Sequence, residues 1–220
     1  MALTPQGRLT PEFFLRDTVT AARGLLGTYL VRIQDGFPLV GRISETEAYI
    51  GRRDRACHAY GYRRTPRTET LFAPPGTVYI YLIYGMYHCL NLVTEAEGEP
   101  AAVLIRAVQP RHNFDILSEN RFGRKWQQLT RAQKSHLCDG PGKLCRAMAL
   151  TRAENGISLA GEELFVVSSL SALGLPPWPG DEAPLRIAAG PRIGVDYAGE
   201  DARLPWRFTL TDEGGRYVPL

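Results

Sequence analysis

Three polar residues interrupt stretches that otherwise read as buried strands: Glu47 in RISETEAY, Asn91 in HCLNLV and Arg106 in VLIRAV. Charged groups are almost never buried without partners. The plainer reading is therefore an ion pair between Glu47 and Arg106 inside a core. The same segments also carry Tyr49 and Tyr81, and His58 lies in an arginine-rich stretch between them. Rings arranged around a carboxylate and an amide make a concave site suited to a flat aromatic ligand. Glu45 and Glu47 raise another chemistry. Paired carboxylates cleave sugar bonds, and two residues apart on a strand they stand about 7 Å from each other. Both would have to reach one bond, so a single carboxylate activating a water is the simpler use of Glu47.

The stretch Thr77 to Val93, TVYIYLIYGMYHCLNLV, places four tyrosines within nine residues, Tyr79, Tyr81, Tyr84 and Tyr87. Strand formers flank Gly85, which tolerates a positive φ, so Tyr84-Gly85-Met86 reads as a hairpin tip. Turn tips normally show small polar residues to water. A tyrosine and a methionine there point to an interaction device. Asp139-Gly140-Pro141-Gly142-Lys143 resembles a phosphate cradle at a helix start. The P-loop spacing fails, since Leu144 follows the lysine, and a DNA backbone contact suits the same features. Gly190-Pro191-Arg192-Ile193-Gly194 can bring backbone amides close to a ligand. The histidine and cysteine signature of zinc deaminases is absent.

These residues need a frame. Thr10-Pro11-Glu12 and Asp17 mark two helix starts, the second helix being stopped by Gly27. Thr28 to Gln34 alternates as a strand, Asp35-Gly36 signals a type I′ hairpin, and Phe37 to Tyr49 returns. On a regular strand Glu45, Glu47 and Tyr49 share one face. Residues 50–76 form a long loop, with a helical turn near Asp54 to Ala59. After the tyrosine hairpin and a polar turn at Glu95 to Pro100, Ala101 to Val108 is a strand. Residues 111–137 are basic and partly helical, and Lys143 to Leu150 is an apolar-periodic helix. Leu164 to Ser168 is a strand, Leu173 to Pro184 a proline-rich surface loop, and Arg186 to Ile193 and Trp206 to Leu210 are closing strands. The order implies an α+β fold: one compact domain over residues 1–220, with a curved, mostly antiparallel sheet, flanking helices and a protruding hairpin.

Composition sets outer limits. The chain has 220 residues, a net charge of +3 and 44% hydrophobic residues. That balance permits nucleic acid as a partner without requiring it. The positive charge is clustered, in Arg52, Arg53, Arg55, Arg63, Arg64 and Arg67, and again in Arg121, Arg124, Lys125, Arg131 and Lys134. The four cysteines have neither zinc-site nor disulfide-framework spacing and read as reduced thiols. No apolar run approaches a membrane span, and no secretory leader pattern is present, so a cytoplasmic, nucleoid-associated protein is expected.

Taken together, ETEAY at 45–49, His58, TPR at 65–67, PGTVYIYLIYGMYHCLN at 75–91, VLIRA at 103–107, DGPGKLCRAMAL at 139–150 and RIGVDYAGEDAR at 192–203 resemble the alkyladenine (3-methyladenine) DNA glycosylase family of the mammalian type. The likeness runs from about Leu9 to Leu210. It implies a monofunctional DNA glycosylase of base excision repair that hydrolyses the N-glycosidic bond of alkylated or deaminated purines flipped out of duplex DNA. Such an enzyme uses no metal and no organic cofactor, and a monomer is expected. By the resemblance, Glu47 activates the water, while Arg106 and the backbone carbonyl of Ile193 hold it. Tyr49, His58 and Tyr81 sandwich the base, and Asn91 clashes with the 2-amino group of guanine. Tyr84 enters the minor groove, flanked by Met86 and Tyr87, and Lys143 and Gly194 meet the DNA backbone. Departures from the family pattern at His88, around Leu71 and in the basic loop 52–55 bear on substrate range and affinity. The alternative is a non-catalytic module that binds damaged DNA or RNA on a similar scaffold. It would have no need of a carboxylate aimed at its ligand.

Overall fold

Strand β2 (Phe37–Tyr49) is the axis from which the sheet is built. It follows β1 (Tyr29–Gln34) through Asp35 and Gly36, whose φ values of 51° and 81° are of the sign a type I′ turn needs. The computed structural model describes residues 7–184 and 186–211, so the ends of the expected 1–220 domain lie outside the described residues. Along one edge, β2 pairs first with β1 and then, from Glu45 to Glu47, with β8 (Arg207–Thr211). Along the other edge it pairs with β5 (Ala101–His112). Beyond β5 lie β4 (Tyr87–Thr94) and β3 (Val78–Ile83). Beyond β1 lies β6 (Leu164–Val167), and β7 (Arg186–Gly190) pairs with β8. Every pairing is antiparallel, and the curved sheet with helices against it is the α+β architecture expected.

Helix α1 (Pro11–Phe14) begins at the expected proline, although Thr10 makes no capping bond. Helix α2 (Thr18–Leu25) begins as predicted, with the Asp17 carboxylate accepting from Thr20 N at 2.9 Å. It buries Ala21, Ala22 and Leu25 against β2. Helices α3 (Phe114–Phe122) and α4 (Arg131–Ser135) supply the helical parts of the basic segment. Helix α5 (Pro141–Ala147) packs on β4 and β5 through Leu144 and Cys145. It starts two residues earlier than predicted, because proline suits the first helical position. Strand β5 outruns its predicted end. Pro110 sits beside a register shift, where a residue without an N–H is tolerated. Strand β7 is shorter than predicted because Pro191 ends it.

The long loop 50–76 is docked rather than loose. Ala59, Leu71 and Phe72 are buried against Tyr79, Val93 and Ala102, behind Tyr49 and Tyr81. Each large apolar side chain so buried contributes about 1.5–3 kcal/mol toward ordering the loop. Its helical content is three short 3₁₀ turns, at Gly51–Arg53, Tyr60–Tyr62 and Glu69–Phe72. The helical turn expected near Asp54 to Ala59 is instead a series of simple turns organised by the Asp54 side chain, which accepts from Ile50 N and Ala56 N. The predicted surface loop 173–184 is anchored by Asp181, held by Arg42, Arg111 and the Tyr29 hydroxyl. All four cysteines are free and buried.

Candidate active site

Two register shifts in the β2–β5 ladder shape the site. Ser44 on β2 and Arg106 on β5 have no cross-strand partner, so the ladder bulges on both sides of Glu45. A bulge re-aims a side chain. Arg106 Nε lies 3.2 Å from Glu45 Oε1, and its terminal nitrogen 3.3 Å from Glu47 Oε1. Ile193 N donates to Glu47 Oε1 at 2.8 Å and the Tyr49 hydroxyl to Oε2 at 2.7 Å. Glu47 has no solvent exposure. Burial raises its pKa, and Arg106, the Ile193 amide and the Tyr49 hydroxyl counter that only in part. Burial also raises the Tyr49 pKa, helped by Glu47, so Tyr49 acts as a hydroxyl donor. Oε1 thus has two donors and Oε2 one, which leaves Oε2 with lone-pair capacity for a further donor.

Tyr49, Arg106 and Ile193 screen Glu47 from a cleft of about 450 Å³, which they line together with His58, Tyr81, Tyr84, Asn91 and Gly194. The His58 and Tyr81 rings meet edge to face, centroids 4.5 Å apart, and form one wall. His58 Nδ1 lies 3.0 Å from the Tyr79 hydroxyl. Burial, assisted by the charge of Arg67, pushes His58 down to about 4, so the wall is neutral. Tyr49 forms another wall, with the Arg192 guanidinium 4.7 Å from its centroid. Asn91 is buried, and its amide nitrogen donates to the carbonyls of Tyr79 and Cys89 at 3.1 and 3.2 Å. A side chain held at both donors cannot swing aside.

The hairpin of β3 and β4 carries the rest. Met86 N donates to Ile83 O across Tyr84 and Gly85, which have φ of 53° and 69°. A left-handed tyrosine costs about 1–2 kcal/mol, so the turn imposes this conformation against local preference. Tyr84 is 82% exposed and Met86 65%. Tyr87 lies against α5, where a Cβ added at Gly142 would stand 2.9 Å from its ring. Lys143 is half exposed and tied to Asp139 at 2.8 Å. Gly194 has φ 76° and open space around its missing Cβ, so backbone can be approached closely there.

The model of the family described as methylpurine-DNA glycosylase matches residues 12–214. The chain belongs to this family. It is therefore a glycosylase, a hydrolase of N-glycosyl bonds in DNA. A protein of Desulfitobacterium hafniense named "Putative 3-methyladenine DNA glycosylase" is 43% identical over 97% of this chain and 98% of its own length. A Clostridium perfringens protein of the same name is 44% identical over 93% and 96%, and one from Bacillus cereus is 45% identical over 90% and 93%. No helix among the described residues is long and apolar enough to cross a membrane.

The glycosylase cleft thus gathers eight of the residues singled out in the sequence, with Glu47 behind them. Met86, Tyr87 and Lys143 do not line it and lie along the hairpin and α5. Glu45, weighed as the second carboxylate of a cleaving pair, does not line the cleft, and its Oε1 is held by Arg106 and, at 3.1 Å, by Arg207. The basic loop is partly self-satisfied, with Arg64 paired to Glu69 and Arg52 over the Tyr62 ring. Tyr79 is a wall residue the sequence reading passed over. Its spacing of two from Tyr81 places both on one strand face, which is the signal that finds it.

Proposed function

We propose that this glycosylase is monofunctional and acts in base excision repair on purines flipped out of duplex DNA: 3-methyladenine, 7-methylguanine, ethenoadenine and hypoxanthine. The names of its relatives support the first of these. The observation that carries the reading is Glu47, a buried carboxylate with a raised pKa directly behind an aromatic cleft. A water on Oε2, also held by Arg106 and the Ile193 carbonyl, approaches C1′ as the bond to N9 opens with oxocarbenium character. Glu47 takes its proton, a step for which a pKa nearer neutrality is suited. Tyr49, His58 and Tyr81 stack on the base, and a cationic alkylpurine gains about 0.5–2 kcal/mol from their π faces. Asn91, rigidly held, excludes the guanine 2-amino group. Tyr84 fills the gap left by the extruded nucleotide, with Met86 and Tyr87 beside it. Damaged pairs cost less to open, which adds selectivity. Lys143 and Gly194 meet the backbone. No lysine lines the described cleft, so a Schiff base and strand cleavage form no part of the reading. The protein acts as a monomer, a single domain over 1–220, in the cytoplasm.

The test is release of free base from duplex DNA bearing one hypoxanthine, ethenoadenine or methylated purine. Release from at least one, without strand scission, is expected. Tight binding to all with no base released would leave the non-catalytic binding module as the better account.

A further inference from the structure

Asp54 and Arg192 form a fully buried ion pair that joins residues 138 apart in sequence. Asp54 Oδ1 accepts from a terminal nitrogen of Arg192 at 2.8 Å and from Ala56 N at 2.9 Å. Oδ2 accepts from the other Arg192 nitrogen and from Ile50 N at 3.0 Å. Arg192 also donates to the carbonyls of Ala48 at 2.8 Å and Asp201 at 3.2 Å. Its guanidinium lies between two rings, 4.7 Å from Tyr49 and 5.0 Å from Trp206. Neither residue lines the cleft itself, but the pair touches Tyr49 and Ala56, which do.

We infer that the Asp54–Arg192 pair is a positioning device that sets the water-activating carboxylate against the base-binding walls. It rests on the reading of Glu47 as the general base. Residues 191–194 follow β7 and have no strand partner of their own. They are held by side-chain contacts: Arg207 to the Pro191 carbonyl, Asp54 and Ala48 to Arg192, and Glu47 to Ile193 N. The pair therefore fixes the strand-free residues whose Ile193 amide holds Glu47. Through Ile50, Ala56 and the Asp54 carbonyl to Cys57 N, it also fixes the loop that presents His58. Through its guanidinium it backs Tyr49. A displacement near 1 Å in such a support costs about a hundredfold in rate.

The test compares wild type with Asp54→Asn/Arg192→Met. This double variant removes both charges, so neither is left buried and unpaired. Three readouts are taken: single-turnover base release, binding to duplex with an abasic analogue, and the pH dependence of the rate. Expected are a fall in rate of about 10–100-fold, binding within about threefold, and a move of the acidic limb to higher pH. The limb moves because the Ile193 amide is one of the groups holding the Glu47 pKa down. The other groups facing Glu47 are Arg106 from β5, Glu45 and Tyr49 from β2, Tyr81 from β3, Cys89 from β4 and Arg207 from β8. All of these are retained and the net charge is unchanged. Arg192 also acts on Glu47 through its charge, so the part of the limb shift that persists in Arg192→Lys, which keeps that charge, is the part assigned to positioning. Should the variant not fold, Arg192→Lys keeps the charge, loses the bidentate fork, and is held to the same three readouts. A rate equal to wild type, or a proportional loss of rate and binding with an unmoved limb, overturns the inference. An inactive wild type would instead overturn the functional reading.

Discussion

Glu47→Gln should separate stability from activity in opposite directions. The geometry lets glutamine keep every contact. Its oxygen can replace Oε1 and accept from Ile193 and Arg106. Its nitrogen can replace Oε2 and donate to Tyr49, whose hydroxyl turns to accept. Arg106 retains Glu45 at 3.2 Å. The folded-state pKa of Glu47 is raised, so its stabilising form is the protonated one. That contribution is present below the unfolded pKa and is lost as pH rises through the folded pKa. Glutamine mimics the protonated form, so at neutral pH the variant should melt at the wild-type temperature or above it. Loss of a general base lowers the rate by about 10²–10⁴-fold, a barrier increase of about 2.7–5.4 kcal/mol. Single-turnover release of hypoxanthine from duplex DNA, alongside thermal melts, reads both. A melting temperature lower by more than about 4 °C would make Glu47 a structural charge. A rate within about threefold of wild type would remove it from the chemistry.

The other predictions concern binding and acid stability. Tyr84→Ser should weaken binding to lesion duplex far more than it shifts the melting temperature, because the ring is almost wholly exposed. Equal losses in both would make Tyr84 a packing residue. Lys143→Ala should reduce affinity for damaged and undamaged duplex alike and flatten the salt dependence by about one phosphate contact. Loss confined to damaged DNA would contradict a backbone role. His58 sits at about 4 in the fold against an ordinary 6.5. The unfolded chain binds the extra proton first, so stability is lost as pH falls through that window. His58→Gln should flatten the melting temperature against pH there, and an unaltered slope would mean the histidine is not held neutral.

What could be read from the sequence was local. The Asp35-Gly36 turn fixed the end of β1 and the start of β2, and the alternation along β2 placed Glu45, Glu47 and Tyr49 on one face, where Arg106 meets the first two. The reading of a plain Glu47–Arg106 ion pair and the reading of a site are both present, since the pair lies at the wall of the cleft. The fate of Glu45 was not legible. It depends on Arg207, brought in by β8 from 162 residues away. The bulge at Arg106 was equally hidden, because register shifts arise from the match between two strands and leave no mark in either one alone. The same holds for Asp54, whose partner comes from the far end of the chain.

Tyr79, Tyr81, Tyr84 and Asn91 hang from one two-stranded ribbon paired over six registers. Tyr84 lies three positions beyond Tyr81, roughly 10 Å at the rise of a strand. The ribbon is thus a caliper of fixed opening. The span between the proposed wedge and the proposed base-binding wall is set by backbone geometry rather than by any side-chain rotamer. Lengthening the strand by one residue would turn the tip to the other face of the sheet as well as advance it. The instrument can be rebuilt in steps of two residues but not of one.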